Sequence, residues 1–385
     1  MFKKTLAAVA VLGAFAGSAF AANVTMYGTI DTGFGYLYQD DGTSKDAYHE
    51  FTMNQGQNSA NKFGVKGEED LGNGLKVGFV LENGFKSDDG SLSTAGRLFD
   101  REALLYVNGA FGELGMGRQG ELASGNGRYG LFGGAVSPFS TAWNNIPGHK
   151  YVMAAGFGRM DNTVTYKTPS FAGVNVIAQY SFKKNSDQKI AKLDGTATAD
   201  AAREGSSQGD RQYALGVSYK AGDLYLAGIV TQTNLATAKS DGVADLDDPL
   251  TVSLGGNYNF GVATVYVAGQ YFKDTNLQQK ALQGGVQNAG KYDGFGLTVA
   301  TAVPAFGGTA KALVGYMNAE DQAGKAVDHD MQRYICSVGY EYPFSKRTKV
   351  YAGAGYYMDS YDTKNGTDDD TASSVAASFG LVHNF

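Results

Sequence analysis

Beyond residue 22 the chain alternates apolar with polar or small side chains in segments of about ten residues, the period of strands with two unlike faces. In residues 251–260, Val252, Leu254, Gly256, Tyr258 and Phe260 share one face; Thr251, Ser253, Gly255, Asn257 and Asn259 share the other. Tyr213, Leu215, Val217 and Tyr219 oppose Ala214, Gly216, Ser218 and Lys220 in the same way. Aromatic side chains close the apolar faces, where an interfacial girdle sets them. Sixteen such segments are legible, from 23–37 and 60–70 to 347–358 and 372–385, and they predict an all-β fold.

The connections alternate in kind. Leu71-Gly-Asn-Gly74, Gly109-Ala-Phe-Gly112 and Pro304-Ala-Phe-Gly-Gly308 carry the glycine, asparagine and proline of hairpin turns. The stretches 40–59, 185–210 and 359–370 are long, polar and acidic. Short turns at one end and long loops at the other predict a 16-stranded antiparallel transmembrane β-barrel, with both termini on the short-turn side. Soluble β-sandwiches are the alternative, but sixteen strands would need two domains, and no composition shift marks a boundary. One connection stands apart: residues 119–158 lack any sustained alternation, and loops of that length are usually functional.

The first residues read as an address. Lys3 and Lys4, an apolar run over 6–16 and Ala19-Phe-Ala21 form a signal peptide over 1–21, leaving residues 22–385 as the barrel domain. That run is too short for a membrane helix, and no apolar run of eighteen residues follows. A mean hydropathy of −0.25 is compatible with barrel strands, which show every second residue to a wet lumen. A net charge of −6 argues against a nucleic-acid partner. The lone Cys336 excludes an internal disulfide and reads as a small apolar side chain.

Catalytic patterns are missing from the sequence. His49, His149, His329 and His383 fall in expected loops or at the C-terminal edge, with no Ser/His/Asp order. Asp328-His-Asp330 reads as a solvated loop cluster rather than a metal site. Gly125-Asn-Gly127 and Gly353-Ala-Gly355 open no helix, as a phosphate cradle requires. No enzyme activity, cofactor or metal is expected.

Several ordered motifs resemble the Gram-negative general diffusion porins, in the style of their neisserial and betaproteobacterial branch. They are Asn23-Val-Thr-Met-Tyr-Gly-Thr-Ile-Asp31, Asn61-Lys-Phe-Gly-Val-Lys-Gly-Glu-Glu-Asp70, Leu81-Glu-Asn-Gly-Phe85, Gly117-Arg-Gln119, Arg159 with Asn162 and Tyr166, and the ending Phe379-Gly-Leu-Val-His-Asn-Phe385. The resemblance implies a homotrimer in the cell outer membrane, among lipid and lipopolysaccharide, whose third outer loop folds into the lumen. That loop is 119–158. It further implies that acidic loop residues face basic wall residues, here Lys62 and Lys66, Arg101 and Arg159, with Arg118 as a further candidate. This chain departs on the acidic side: residues 119–158 hold one carboxylate, Glu121, against Arg128, His149 and Lys150. A weaker transverse field, or a pore more favourable to anions, is expected.

A charged constriction concentrates ions of opposite sign, so such a ring biases a wide wet pore. Phe132, Phe139 and Trp143 are expected to anchor the loop, and the terminal Phe385 fits a barrel assembly signal. The expected function is a water-filled channel for passive diffusion of ions and small hydrophilic solutes. A substrate-selective channel, a barrel enzyme and a surface adhesin are the alternatives.

Overall fold

The computed structural model describes residues 23–42, 47–190, 200–201, 203–236, 247–279, 281–282, 291–322, 329–363 and 370–385. The signal peptide expected over 1–21 lies outside them, as does Asp328. Among the described residues the sixteen barrel strands are β1 (Thr25–Asp40), β2 in two pieces (Tyr48–Gln55 and Lys62–Gly72), β3 (Leu75–Gly84), β4 (Glu102–Gly109), β5 (Gly112–Gly120), β6 (Arg159–Lys167), β7 (Val174–Ser181) and β8 (Arg211–Ala221). There follow β9 (Leu224–Asn234), β10 (Leu250–Asn259), β11 (Thr264–Thr275), β12 (Tyr292–Ala305), β13 (Gly308–Asp321), β14 (His329–Pro343), β15 (Thr348–Thr363) and β16 (Asp370–Asn384).

Each strand pairs antiparallel with its sequence neighbours, and β1 pairs with β16 from Thr29 opposite Asn384 to Asp40 opposite Ser373. The sheet is a closed barrel, so its strands have no unpaired edge. At the seam Gly28 and Phe385 exchange two backbone hydrogen bonds of 3.1 Å. A Cβ on Gly28 would lie 2.2 Å from the Phe385 ring, so the terminal aromatic closes over a glycine.

The faces of the strands are inverted relative to a soluble protein. On β10, Leu254 is 64 % exposed while Thr251 and Ser253 are 3 % and 1 % exposed. On β8, Leu215 and Val217 stand outside and Gln212 is buried. A continuous apolar exterior is stable only against hydrocarbon, and the closed ladder leaves no backbone polar group for that hydrocarbon to strand. Asn73 and Gly74, both at positive φ, make the turn between β2 and β3 that the Gly-Asn-Gly sequence predicts.

One expectation about element bounds is revised. Residues 48–55, expected inside a long polar loop, form the first piece of β2. Phe51 stacks parallel on Phe34 of β1 at 5.9 Å, but the polar break 56–61 hides that continuity from a ten-residue periodicity. Several wall glycines allow close approach to loop 119–158. On β12, a Cβ at Gly296 would fall 1.5 Å from the Val152 carbonyl, and on β14 one at Gly339 would fall 2.9 Å from Trp143.

Two buried apolar clusters join residues of that loop to residues of the wall. One cluster joins Phe139, Trp143, Ile146 and Tyr151 to Leu313, Ile335 and Tyr351; the other joins Leu122, Phe132, Val136 and Phe157 to Leu104, Ile177 and Ile229. Polar contacts run around the wall in the same sense. Tyr225 donates to the Leu131 carbonyl and Asn257 to that of Ala135, each at 2.8 Å. Gln270 accepts from the Ala154 N–H at 2.8 Å, and Ser337 donates to the Pro147 carbonyl at 2.8 Å. Arg333, fully buried on a bidentate pair with Asp359 at 2.5 and 2.7 Å, donates to the Tyr151 carbonyl at 3.1 Å.

If the wall glycines set the loop's depth, Gly296→Val should overpack its seat at a cost of about 1–3 kcal/mol. Limited proteolysis should then cut within 119–158 faster in the variant, with the barrel's heat-dependent gel mobility retained. Equal cutting rates would contradict the account.

Candidate functional site

Two inward-facing groups of charge stand on the wall, each built on one carboxylate. On the first, Glu82 of β3 takes Arg101 at 2.6 Å, Lys62 of β2 at 3.3 Å and the Tyr27 hydroxyl at 3.0 Å. Antiparallel register sets Glu82 opposite Gly64 and Glu102, so β2 and the start of β4 deliver their cations to it from either side. On the second, Glu341 of β14 sits between Lys311 of β13 and Lys349 of β15, both at 2.9 Å, and accepts from Asn58 at 2.7 Å. In each group one carboxylate is paired with two cations.

Both groups open on one cavity of about 770 Å³. Its lining includes Lys62, Arg101, Lys311, Glu341 and Lys349 from the wall, together with Pro138, Thr141 and Lys150 from loop 119–158. Five cations line it against one carboxylate. Counting Glu82 behind Lys62 and Arg101, cations still outnumber carboxylates five to two.

The other residues singled out in the sequence stand elsewhere. Lys66 lies 5.1 Å from the Tyr27 ring centre, farther along β2 toward the short turns. Arg118 binds Asp161 at 2.5 Å and the Asp100 carbonyl at 2.7 Å, in a network that includes Arg97 at 2.7 Å from Asp161. Arg159 is half-buried beside Arg101 and Arg118, its Nε without a hydrogen-bond partner. Glu121 is buried at the loop's base, where its carboxylate takes Lys184 at 3.0 Å and the Gly158 N–H at 2.6 Å. Burial raises its pKa, but Lys184 and that N–H outweigh the burial and hold the carboxyl below its ordinary value. The loop's one carboxylate therefore ties the two ends of the loop together.

The loop's cations differ in availability. Arg128 is held by Glu113 at 2.5 and 2.7 Å and lies 3.7 Å from the Tyr106 ring centre. His149, fully buried between Phe132 and Phe157, has its pKa pushed down to about 3 by burial and is neutral at ordinary pH. Lys150 lines the cavity, and burial lowers its pKa. Phe132, Phe139 and Trp143 are all buried, with Trp143 edge-on to Phe139 at 5.0 Å and to Tyr351 at 5.7 Å.

Sequence reasoning missed Glu82, Lys311, Glu341 and Lys349. Parity could have found Lys311: it faces opposite Ala310 and Ala312, on the polar side of an alternating strand. Nothing local pairs it with Glu341, since that contact depends on the register of β13 against β14.

The His149 environment gives a pH dependence whose sign is fixed. Between about 6.5, the ordinary histidine value, and the depressed value, a released loop takes up a proton that the packed loop refuses. Packing is complete above that window and weakens as pH falls toward about 3. Protection factors of the amides across 119–158, with the intrinsic pH dependence of exchange divided out, should fall from pH 7 to pH 4 in the wild type and much less in His149→Gln. Equal loss of protection in both would contradict the assignment.

A protein-family description, Gram-negative porin, matches residues 7–377. The chain is 31% identical to an outer membrane porin protein of Bordetella pertussis over 100% of both chains. It is 30% identical to outer membrane porin protein 32 of Delftia acidovorans, covering 92% of this chain and 89% of that one. Among solved structures it is similar to the anion-selective porin from Comamonas acidovorans, with a TM-score of 0.65, 24% identity and coverage of 94% and 100%. With the closed sixteen-stranded barrel and its polar interior, these relations show that the chain belongs to the Gram-negative porins, outer-membrane channels for passive diffusion.

Proposed function

We propose that loop 119–158 folds into the lumen as a constriction, that the cationic cavity is the narrow passage, and that the channel favours small anions. The carrying observation is the lining itself: five cations to one carboxylate, contributed from the wall and from the loop facing it. Lys62, Arg101, Lys150, Lys311 and Lys349 raise the local concentration of anions where the path is narrowest. The porin that Comamonas acidovorans supplies is described by the same preference, which agrees with this reading.

Within it, Phe132, Phe139 and Trp143 anchor the loop, Glu121 closes its base, and Arg118 and Arg159 contribute field from behind. Lys66 acts farther along the path. Residues 1–21 direct export, and the exterior apolar band meets outer-membrane lipid and lipopolysaccharide. The channel is a homotrimer; a trimeric Vibrio cholerae outer membrane protein, OmpT, supports that reading through fold similarity, with a TM-score of 0.58.

Two measurements test the charge assignment. Anion-to-cation permeability ratios in planar bilayers should fall severalfold in Lys150→Glu/Lys349→Glu, whereas an unchanged ratio removes these residues from the passage. In the wild type the ratio should decline toward one between 0.1 M and 1 M salt, as the screening length shrinks from about 10 Å to about 3 Å. A ratio independent of salt would point to selection by size or binding instead of by field.

A further inference from the structure

The break in β2 is larger than any register correction needs. On β1 only Ile30 and Asp31 lie between Thr29, opposite Lys62, and Thr32, opposite Gln55. Facing them, β2 spends residues 56–61, where a simple bulge adds one residue.

The surplus chain is ordered around one buried carboxylate. Asp31, with no exposed surface, accepts through Oδ2 from the Asn58 and Ser59 N–H groups, both at 2.7 Å. Its Oδ1 accepts from the Tyr351 hydroxyl at 2.7 Å, and its carbonyl accepts from the Gly56 N–H at 2.9 Å. Asn61 returns the chain to the ladder by accepting from the Asp31 N–H at 2.5 Å. Gly56 turns at φ +64, a conformation that favours glycine.

The segment projects inward. Gly56, Asn58, Ser59 and Ala60 line the same cavity as Lys62 and the loop. Asn58 reaches Glu341, the carboxylate between Lys311 and Lys349, and Gln57 borders a small void shared with Trp143 and Ile146 of the loop. Ala60 is exposed on this projection.

We propose that residues 56–61 are a second jaw of the passage, carried by the barrel wall, and that Asp31 is its positioning residue. The loop is then one side of a two-sided constriction. Passage size depends on a buried carboxylate of β1 as well as on the loop, and Asn58 fixes the carboxylate that moderates the lysine pair. The inference rests on the cavity being the conducting path.

Thiol labelling tests it without removing the jaw. In a Cys336→Ser background, Ala60→Cys and, separately, Thr141→Cys on the loop are reconstituted in planar bilayers and exposed to a bulky hydrophilic methanethiosulfonate reagent. Modification at Ala60→Cys should lower single-channel conductance by about a third or more, as narrowing at a constriction does. Block at Thr141→Cys with none at Ala60→Cys would overturn the jaw and leave the loop constriction standing. Block at neither would show that the cavity is not the passage, and both readings would fall. As a second variant, deletion of residues 57–60 leaves Gly56 and Asn61 opposite Asp31 and Ile30 in register. Liposome swelling should then admit larger neutral sugars faster relative to small ones, and an unchanged ratio would also overturn the jaw.

Discussion

The antiparallel ladder between β1 and β16 is the constraint on which the other features depend. In hydrocarbon an unpaired backbone group costs several kcal/mol, so sixteen amphipathic strands form a stable exterior only if the first finds the last. The Gly28–Phe385 pair and the register from Thr29 to Asp40 complete that closure. Once closed, the barrel has an inside that excludes lipid, and the alternation of each strand delivers its polar residues there. Lysines and carboxylates that would be prohibitive on the outer face are cheap on the inner one.

Closure also explains why loop residues carry so much of the core. A sixteen-strand barrel is too wide for its own inward side chains to fill. The apolar wall residues Leu104, Ile177, Ile229, Leu313 and Ile335 share buried clusters with the loop residues Leu122, Phe132, Trp143 and Ile146. The charges that line the cavity beside this packing are mostly positive. Paired carboxylates, Glu82 and Glu341, position those cations without neutralising either group.

Much of the fold was legible because barrel strands repeat one rule. Alternation, turn chemistry and the asymmetry of loop lengths gave the strand number, the inversion of faces and the side on which the termini lie. The broken β2 was not legible, because Gly56–Asn61 is polar and resets the period, while its organiser, Asp31, lies on another strand. The site was legible by halves. Lys62, singled out by parity, and Arg101, singled out by resemblance, both line the cavity, but Glu82 and Glu341 matter through contacts across strands that no local pattern encodes. Glu121 shows the converse: the sequence singles it out as the loop's one carboxylate, but its partners, Lys184 and the Gly158 N–H at the loop's base, are set by the fold.

The central claim is that a closed barrel with a cation-lined passage conducts anions in preference to cations. The zero-current potential of the reconstituted wild-type channel across a tenfold potassium chloride gradient tests this most directly. The account predicts a potential of the sign set by chloride moving down its gradient. A potential of the opposite sign, set by potassium, would contradict it.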